Sequence, residues 1–223
     1  MTALADPQRA EHHLRFFKTG PGEYGHGDRF LGLTVPQIRT VARQHRALPL
    51  PELSRLLDSE WHEERLLALM IAVHQFRRGD TATRKAIHHF YLKKTDRINN
   101  WDLVDLSARD IVGGYLLDRS RSPLARLARS RSVWERRIAI IATYAFIQRG
   151  EFDDTLRIAE ALLGDGHDLI HKAVGWMLRE VGKRDVAVLR AFLDEHAPQM
   201  PRTALRYAIE RFPASLRRRY LRR

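Results

Sequence analysis

Trp101, Asp105, Arg137 and Trp176 bring together two indoles, a carboxylate and a guanidinium in a strongly basic chain. Indole faces attract cations through the ring quadrupole. A carboxylate can stabilise oxocarbenium charge that develops on a sugar as its glycosidic bond breaks, and it can hold the attacking water. Arginine and lysine grip phosphates and set register along a nucleic-acid backbone, roles suited to Arg137 and Lys172. The set therefore suits a cationic nucleobase, such as 7-methylguanine or 3-methyladenine.

Their spacing implies a shared register. Arg65, Trp101, Arg137 and Lys172 are separated by 36, 36 and 35 residues. One helical turn later the register reads Leu69, Asp105, Ile141 and Trp176. A period near 35 is the signature of stacked helical repeats, whose equivalent positions line one continuous surface. Trp101 and Asp105 lie four residues apart and share a helix face. A buried aspartate without a partner is costly, so that face is expected to border an open cleft.

The elements that must carry these residues are helices. Leu66, Leu67, Met70, Ile71, Val73 and His74 recur at three- and four-residue steps, as do Ile138, Ile141, Ala142, Ala145 and Phe146. Short breaks at 49–51, 79–80, 120–123, 150–151, 164–166 and 197–198 carry Gly, Pro, Ser or Asp and read as helix–helix turns. Thr34 before Pro36, Pro123 after Ser122, Asn99 and Asn100 before Trp101, and the pair Asp153 and Asp154 mark helix starts. No stretch alternates with period two. The fold class is all-α, expected as a curved α-solenoid of HEAT-like helical repeats. Residues 1–223 form one domain in this reading, with an N-terminal helix and glycine-rich loop over 1–34 and stacked helix pairs over 35–223.

Lys plus Arg number 39 against 27 Asp plus Glu, a formal charge of +12, which favours polyanions through counterion release. The chain has no cysteine, so thiol catalysis and thiolate metal sites are excluded. No apolar run reaches the length of a membrane span, and Met1 to Lys18 lacks the layout of a signal peptide. A soluble cytoplasmic protein, nucleoid-associated when bound to DNA, is expected. His167 and His171, and the pairs His12 and His13, His88 and His89, have no third ligand set, so surface or capping roles are expected and no metal. Gly20, Gly22 and Gly25 match a dinucleotide pattern in form only, because a helix precedes them. These glycines are expected to permit positive φ and close backbone approach. Tyr24 on that loop reads as a lid residue or a packing anchor. The C-terminal Arg217 to Arg219, Arg222 and Arg223 read as extra non-specific affinity or a solvated basic tail.

At the WDLVD string ending in Asp105, the WERR string ending in Arg137 and the KAVGWMLRE string from Lys172 to Glu180, the chain resembles DNA alkylation repair proteins of the AlkD type. These belong to the HEAT-like-repeat DNA glycosylase superfamily. The resemblance covers nearly the whole chain, most clearly residues 99–211. It implies that Asp105 is the catalytic aspartate, that Trp101 and Trp176 are the active-site tryptophans, and that Arg137 binds phosphate. Lys172, Arg179, Arg65 and Tyr24 complete the expected DNA contacts. It implies excision of cationic 3- and 7-alkylpurines from double-stranded DNA without extruding the base, with no cofactor and no metal; a monomer is expected. The segment from Lys18 to Pro36 departs from the family pattern and resembles a distinct branch. Two other readings stand beside this one: a non-catalytic repeat protein that binds damaged or branched DNA, and a protein-binding scaffold. The basic balance argues against the scaffold, and a carboxylate between two tryptophans argues for the enzyme.

Overall fold

The computed structural model describes residues 1–222; Arg223 lies outside them. It is all-helical. Among the described residues there is no strand, only an isolated bridge between Arg29 and Trp61. The chain divides into two compact units, residues 1–111 and 112–223.

The first unit holds α1 (Pro7–Phe16), α2 (Val35–Gln44), α3 (Leu50–Leu57), α4 (His62–Arg78), α5 (Thr81–Lys93) and α6 (Trp101–Ala108). Most of its helices start where a polar side chain satisfies a free amide of the first turn or a proline removes one. Asp6 accepts from the amide of Arg9 at 3.0 Å, Asp80 from that of Thr83 at 2.8 Å, and Thr34 closes a capping box with Gln37. Helix α4 is the centre of this unit, packed by α2, α3, α5 and α6. Leu66, Leu67, Ala68, Leu69, Met70, Ile71 and Ala72 are all buried, so this helix is apolar round most of its circumference, as a helix enclosed by neighbours must be. Each such side chain contributes roughly 1.5–3 kcal/mol on leaving water.

The glycine-rich loop after α1 behaves as its composition requires. Gly22 and Gly27 hold φ values of 78° and 87°. At Gly25 a Cβ would stand 2.4 Å from the carbonyl oxygen of Phe17, so only glycine lets the loop fold back on the end of α1. Tyr24 is half-buried on this loop.

A π-helical turn over Arg109–Gly113 follows α6, and the division between the units falls within it. The second unit contains α7 (Gly114–Leu116), α8 (Ser122–Ala128), α9 (Val133–Ala142), α10 (Tyr144–Ile147), α11 (Asp153–Ala161), α12 (Asp168–Gly182), α13 (Val186–His196), α14 (Arg202–Ala208) and α15 (Ala214–Leu221). Here α12 is central, packed by α9, α11, α13 and α14. Gly175 allows the close approach of α14. A Cβ there would meet the Ala204 carbonyl oxygen at 2.4 Å and the Tyr207 Cβ at 2.5 Å. Arg217, Arg218 and Arg219 sit exposed on α15, in a helix rather than in a tail.

The repeat register needs correction at two of its steps. Leu69 and Ile141, expected to line one surface with Asp105 and Trp176, are both core residues. The spacing marks equivalent turns of successive helices but does not fix which way each turn faces. His88 is also buried, against the expectation of a surface histidine, while His167 does cap α12 by accepting from the Leu169 amide.

Candidate nucleic-acid interface

Trp101 and Asp105 are positioned by α6. Asn100 caps this helix, its Oδ1 accepting from the Trp101 amide at 2.9 Å. The Asn100 side chain is fully buried and its Nδ2 donates to Asp28 at 3.1 Å, so the start of α6 is tied to the end of the glycine-rich loop.

Asp28 is the hub of a buried polar network. Its Oδ1 accepts from Arg65 Nη2 at 2.6 Å, and its Oδ2 lies 3.2 Å from His62 Nδ1. The other ring nitrogen, His62 Nε2, is 2.8 Å from Asp102 Oδ2. Burial works against charge on this imidazole, but the charges and hydrogen bonds of Asp102 and Asp28 outweigh it and push its pKa up to about 9. Burial likewise works against an ionised Asp28. The hydrogen bond from His62 and the charge of Arg65 override it and hold the carboxyl below its usual range. The result is a charged His62 clamped between two carboxylates, beneath the first turn of α6.

Trp101 is half-buried, and its indole stacks on Phe17 with centroids 5.5 Å apart and planes 20° apart. Phe16 meets the same indole edge-on at 5.9 Å. Residues from α1 thus fix the ring from one side.

One turn along α6, Asp105 borders a cleft of about 700 Å³ within the first unit. Ala42, Met70 and Val73 supply apolar lining. Arg39 and Arg43 from α2, Arg77 and Arg78 from the end of α4, His74 and Arg109 supply the rest. Arg39, Arg43, Arg77 and Arg78 are exposed. Arg77 makes a two-point contact with Asp110, at 2.9 and 3.0 Å, and Arg109 reaches the same carboxylate at 3.1 Å. Burial and then the neighbouring arginines Arg78, Arg46 and Arg77 lower the pKa of His74, which registers the positive potential of this surface. A carboxylate on the wall of an arginine-rich cleft can face a cationic centre while the arginines hold phosphates on either side.

The second unit carries the other expected residues. Trp176, half-buried on α12, donates from Nε1 to Glu180 at 3.2 Å, and Lys183 holds the same carboxylate at 2.7 Å. The indole is thereby fixed by its edge. Lys172 is paired with Asp168 at 2.6 Å across one turn, on the surface. Arg137, in the second turn of α9, is buried and donates from Nη1 to the Leu169 carbonyl. Arg179 is bound by Glu210 through Nη1.

Arg65 must be reassigned. It was expected at the DNA, but its side chain is only 3% exposed and is spent on Asp28 and on the carbonyls of Ser59 and Glu60. An arginine in the interior survives only with such partners, so it is part of the fold and not of a DNA surface. Conversely, sequence reasoning passed over Arg39, Arg43, Arg77, Arg78 and Arg109. The signal was available for the first two, since arginines four apart share one face of α2. His62 gave no local signal. Its partners lie 34 residues before it and 40 after it. Among the described residues no group of three or more His, Asp or Glu is arranged to hold a metal, and no helix is long and apolar enough to cross a membrane.

Comparisons with known proteins place the fold and the family. Two solved structures share the fold. One is a predicted DNA alkylation repair enzyme from Enterococcus faecalis, with a TM-score of 0.73 and 18% identity over 94% of this chain and 97% of that one. The other is smu.31 from Streptococcus mutans UA159, with a TM-score of 0.51 and 15% identity over 91% of this chain and 90% of that one. No curated protein matches the sequence. The model of the DNA alkylation repair enzyme family matches residues 1–212, and the chain belongs to that family.

Proposed function

We propose that this protein is a DNA glycosylase that removes positively charged N3- and N7-alkylpurines from double-stranded DNA without extruding the base. Its helix pairs are read as HEAT-like repeats. The observation that carries the proposal is Asp105 on the wall of a cleft otherwise rich in arginine. Pure phosphate binding gains nothing from a carboxylate facing the backbone. Oxocarbenium chemistry does.

In this mechanism the bond between the sugar C1′ and the purine nitrogen breaks first. Its electron pair leaves with the base, which departs neutral because alkylation had already made it cationic. Positive charge then develops on the sugar, where the Asp105 carboxylate stabilises it and orients a water toward C1′. Attack of that water forms the new C–O bond, and its proton passes to Asp105 and on to solvent. Because the leaving group is activated by its own charge, no general acid is required. Neutral lesions are therefore poor substrates, and no cofactor takes part.

Trp101 and Trp176 are assigned as cation–π and shape contacts, each worth roughly 0.5–2 kcal/mol. The fixed orientation of each indole, by Phe17 in one unit and Glu180 in the other, supports that role. Arg39, Arg43, Arg78, Lys172 and Arg179 are the proposed phosphate contacts, while Arg137, buried on the Leu169 carbonyl, supports the fold. The pair between Lys172 and Asp168 is a surface pair, cheap to exchange for phosphate.

The test is single-turnover release of 7-methylguanine from duplex DNA by the wild type and by Asp105→Asn. The amide keeps the shape but not the charge. A loss on the order of 10²–10³ in rate is expected, with DNA affinity retained. Equal rates would remove Asp105 from the chemistry. No release by either protein would favour a non-catalytic binder of damaged DNA.

A further inference from the structure

A second cavity in the first unit, about 350 Å³ in volume, lies between α1, α2 and the start of α6. Its chemistry is unlike that of the arginine-rich cleft. Phe16, Phe17, Phe30 and Trp101 provide aromatic walls, and Val35 and Phe16 are exposed at its edge. Phe17 and Phe30 stack at 4.9 Å with planes 18° apart, and Phe17 in turn stacks on Trp101.

The polar groups converge at one end. Glu63 is saturated, its two oxygens accepting from the amides of Leu31, Gly32 and Leu33. Asp102 is not saturated. Its Oδ2 is taken by His62, while its Oδ1 is buried with no hydrogen-bond partner among the described residues. The Nδ1 of His13 is buried in the same condition, with Glu63 Oε1 no nearer than 3.6 Å. A buried carboxylate oxygen without a donor is costly, and so is a buried ring nitrogen without a partner. No lysine or arginine lines the cavity.

We propose that this cavity binds a free, planar nitrogen heterocycle of the size of one nucleobase, stacked among the phenylalanines and donating an N–H to Asp102 Oδ1. Three observations select that class. The volume is at the lower end for small-molecule sites and admits a ligand of the size of one base. Stacked aromatic walls prefer a flat π-system. No lysine or arginine lines the wall, both ring nitrogens of the charged His62 are held by Asp28 and Asp102, and the carboxylates of Glu63 and Asp102 repel a phosphate, so the ligand is a base detached from its backbone. The cavity is a binding site in its own right, and the proposal does not rest on the excision chemistry.

Calorimetric titration of the whole protein, without DNA, tests it with 3-methyladenine and adenine as probes and AMP as the phosphate-bearing control. Saturable binding of the free bases is expected, with AMP at least tenfold weaker. Asp102→Asn should weaken base binding about tenfold, the loss of one charge-assisted hydrogen bond. Because Asp102 also holds His62, two exposed positions provide the independent test. Phe16→Ala should weaken binding by removing a wall. Val35→Trp should abolish it by filling the edge, while circular dichroism and duplex-DNA affinity stay those of the wild type. Absence of saturable binding would overturn the proposal. So would binding that Val35→Trp and Phe16→Ala leave unchanged, or AMP binding as tight as that of adenine.

Discussion

Raising the pH should loosen the first unit, and His62 sets the window. Its folded pKa of about 9 exceeds the ordinary 6.5, so the native state binds the proton more tightly than the unfolded chain does. The stability this confers is fully present below pH 6.5 and is lost as pH rises through about 9. The gap between those two values corresponds to on the order of 3 kcal/mol. For a chain of this length about 1 kcal/mol moves the melting temperature by roughly 2–4 °C, so a fall of roughly 6–12 °C is expected across the window. The other shifted histidines act on the far side. His13, His74 and His167 are all lowered, each first by burial. Their contribution grows as pH rises toward 6.5 and is complete above it, which places the maximum of stability just above that pH. Thermal melts followed by circular dichroism from pH 5 to 9.5 measure the profile. His62→Gln supplies the control, since the amide can still hydrogen-bond but carries no charge. Its melting temperature should be lower at pH 6.5 and nearly flat above it. A wild-type profile as flat as that of the variant would refute a charged His62 clamped by Asp28 and Asp102.

Four further outcomes follow from the contacts described. Arg65→Ala should cost about 3–5 kcal/mol, because it strands Asp28 in the interior, and should leave the salt dependence of DNA binding unchanged in denaturant-free titrations. Arg39→Ala combined with Arg78→Ala should do the reverse, keeping the melting temperature and reducing the slope of log K against log salt by about two. Arg137→Ala should lower the melting temperature and leave that slope unchanged, because the buried guanidinium is spent on the Leu169 carbonyl; a slope lower by about one would instead show that it reaches a phosphate. Gly175→Ala should destabilise by about 1–3 kcal/mol or more in chemical denaturation, since the added methyl meets the backbone of α14.

Much of the architecture was legible because it is local. Periodicity at 66–73 and 138–146 identified helices that are indeed buried, and the caps at Thr34 and Asn100 and the acidic first turn at Asp153 fell where the helices begin. What was not legible is how each helix is rotated about its axis. Leu69 and Asp105 occupy the same register, yet α4 is enclosed by four neighbours and turns Leu69 inward, whereas α6 leaves Asp105 on a cleft. Arg65 and Trp101 differ for the same reason. An arginine reads as a surface residue in any one-dimensional pattern, and only the loop carrying Asp28 explains why this one is inside.

That loop ties the two kinds of information together. Its glycines were recognised as conformational residues, but their consequence lies 72 residues further on, where Asp28 receives Asn100. Asn100 holds the first amide of α6, His62 bridges Asp28 to Asp102, and Phe17 at the end of α1 stacks on Trp101. The glycine-rich loop and the end of α1 are therefore the segments that orient Trp101. A charged imidazole between two carboxylates is a costly way to join a loop to a helix, since each buried ion must be offset by its partners. It is also a directional one. An apolar contact would allow α6 to rotate, whereas the bonds among Asp28, Asn100, His62 and Asp102 fix the start of the helix, and Phe17 then sets the plane of the indole upon it.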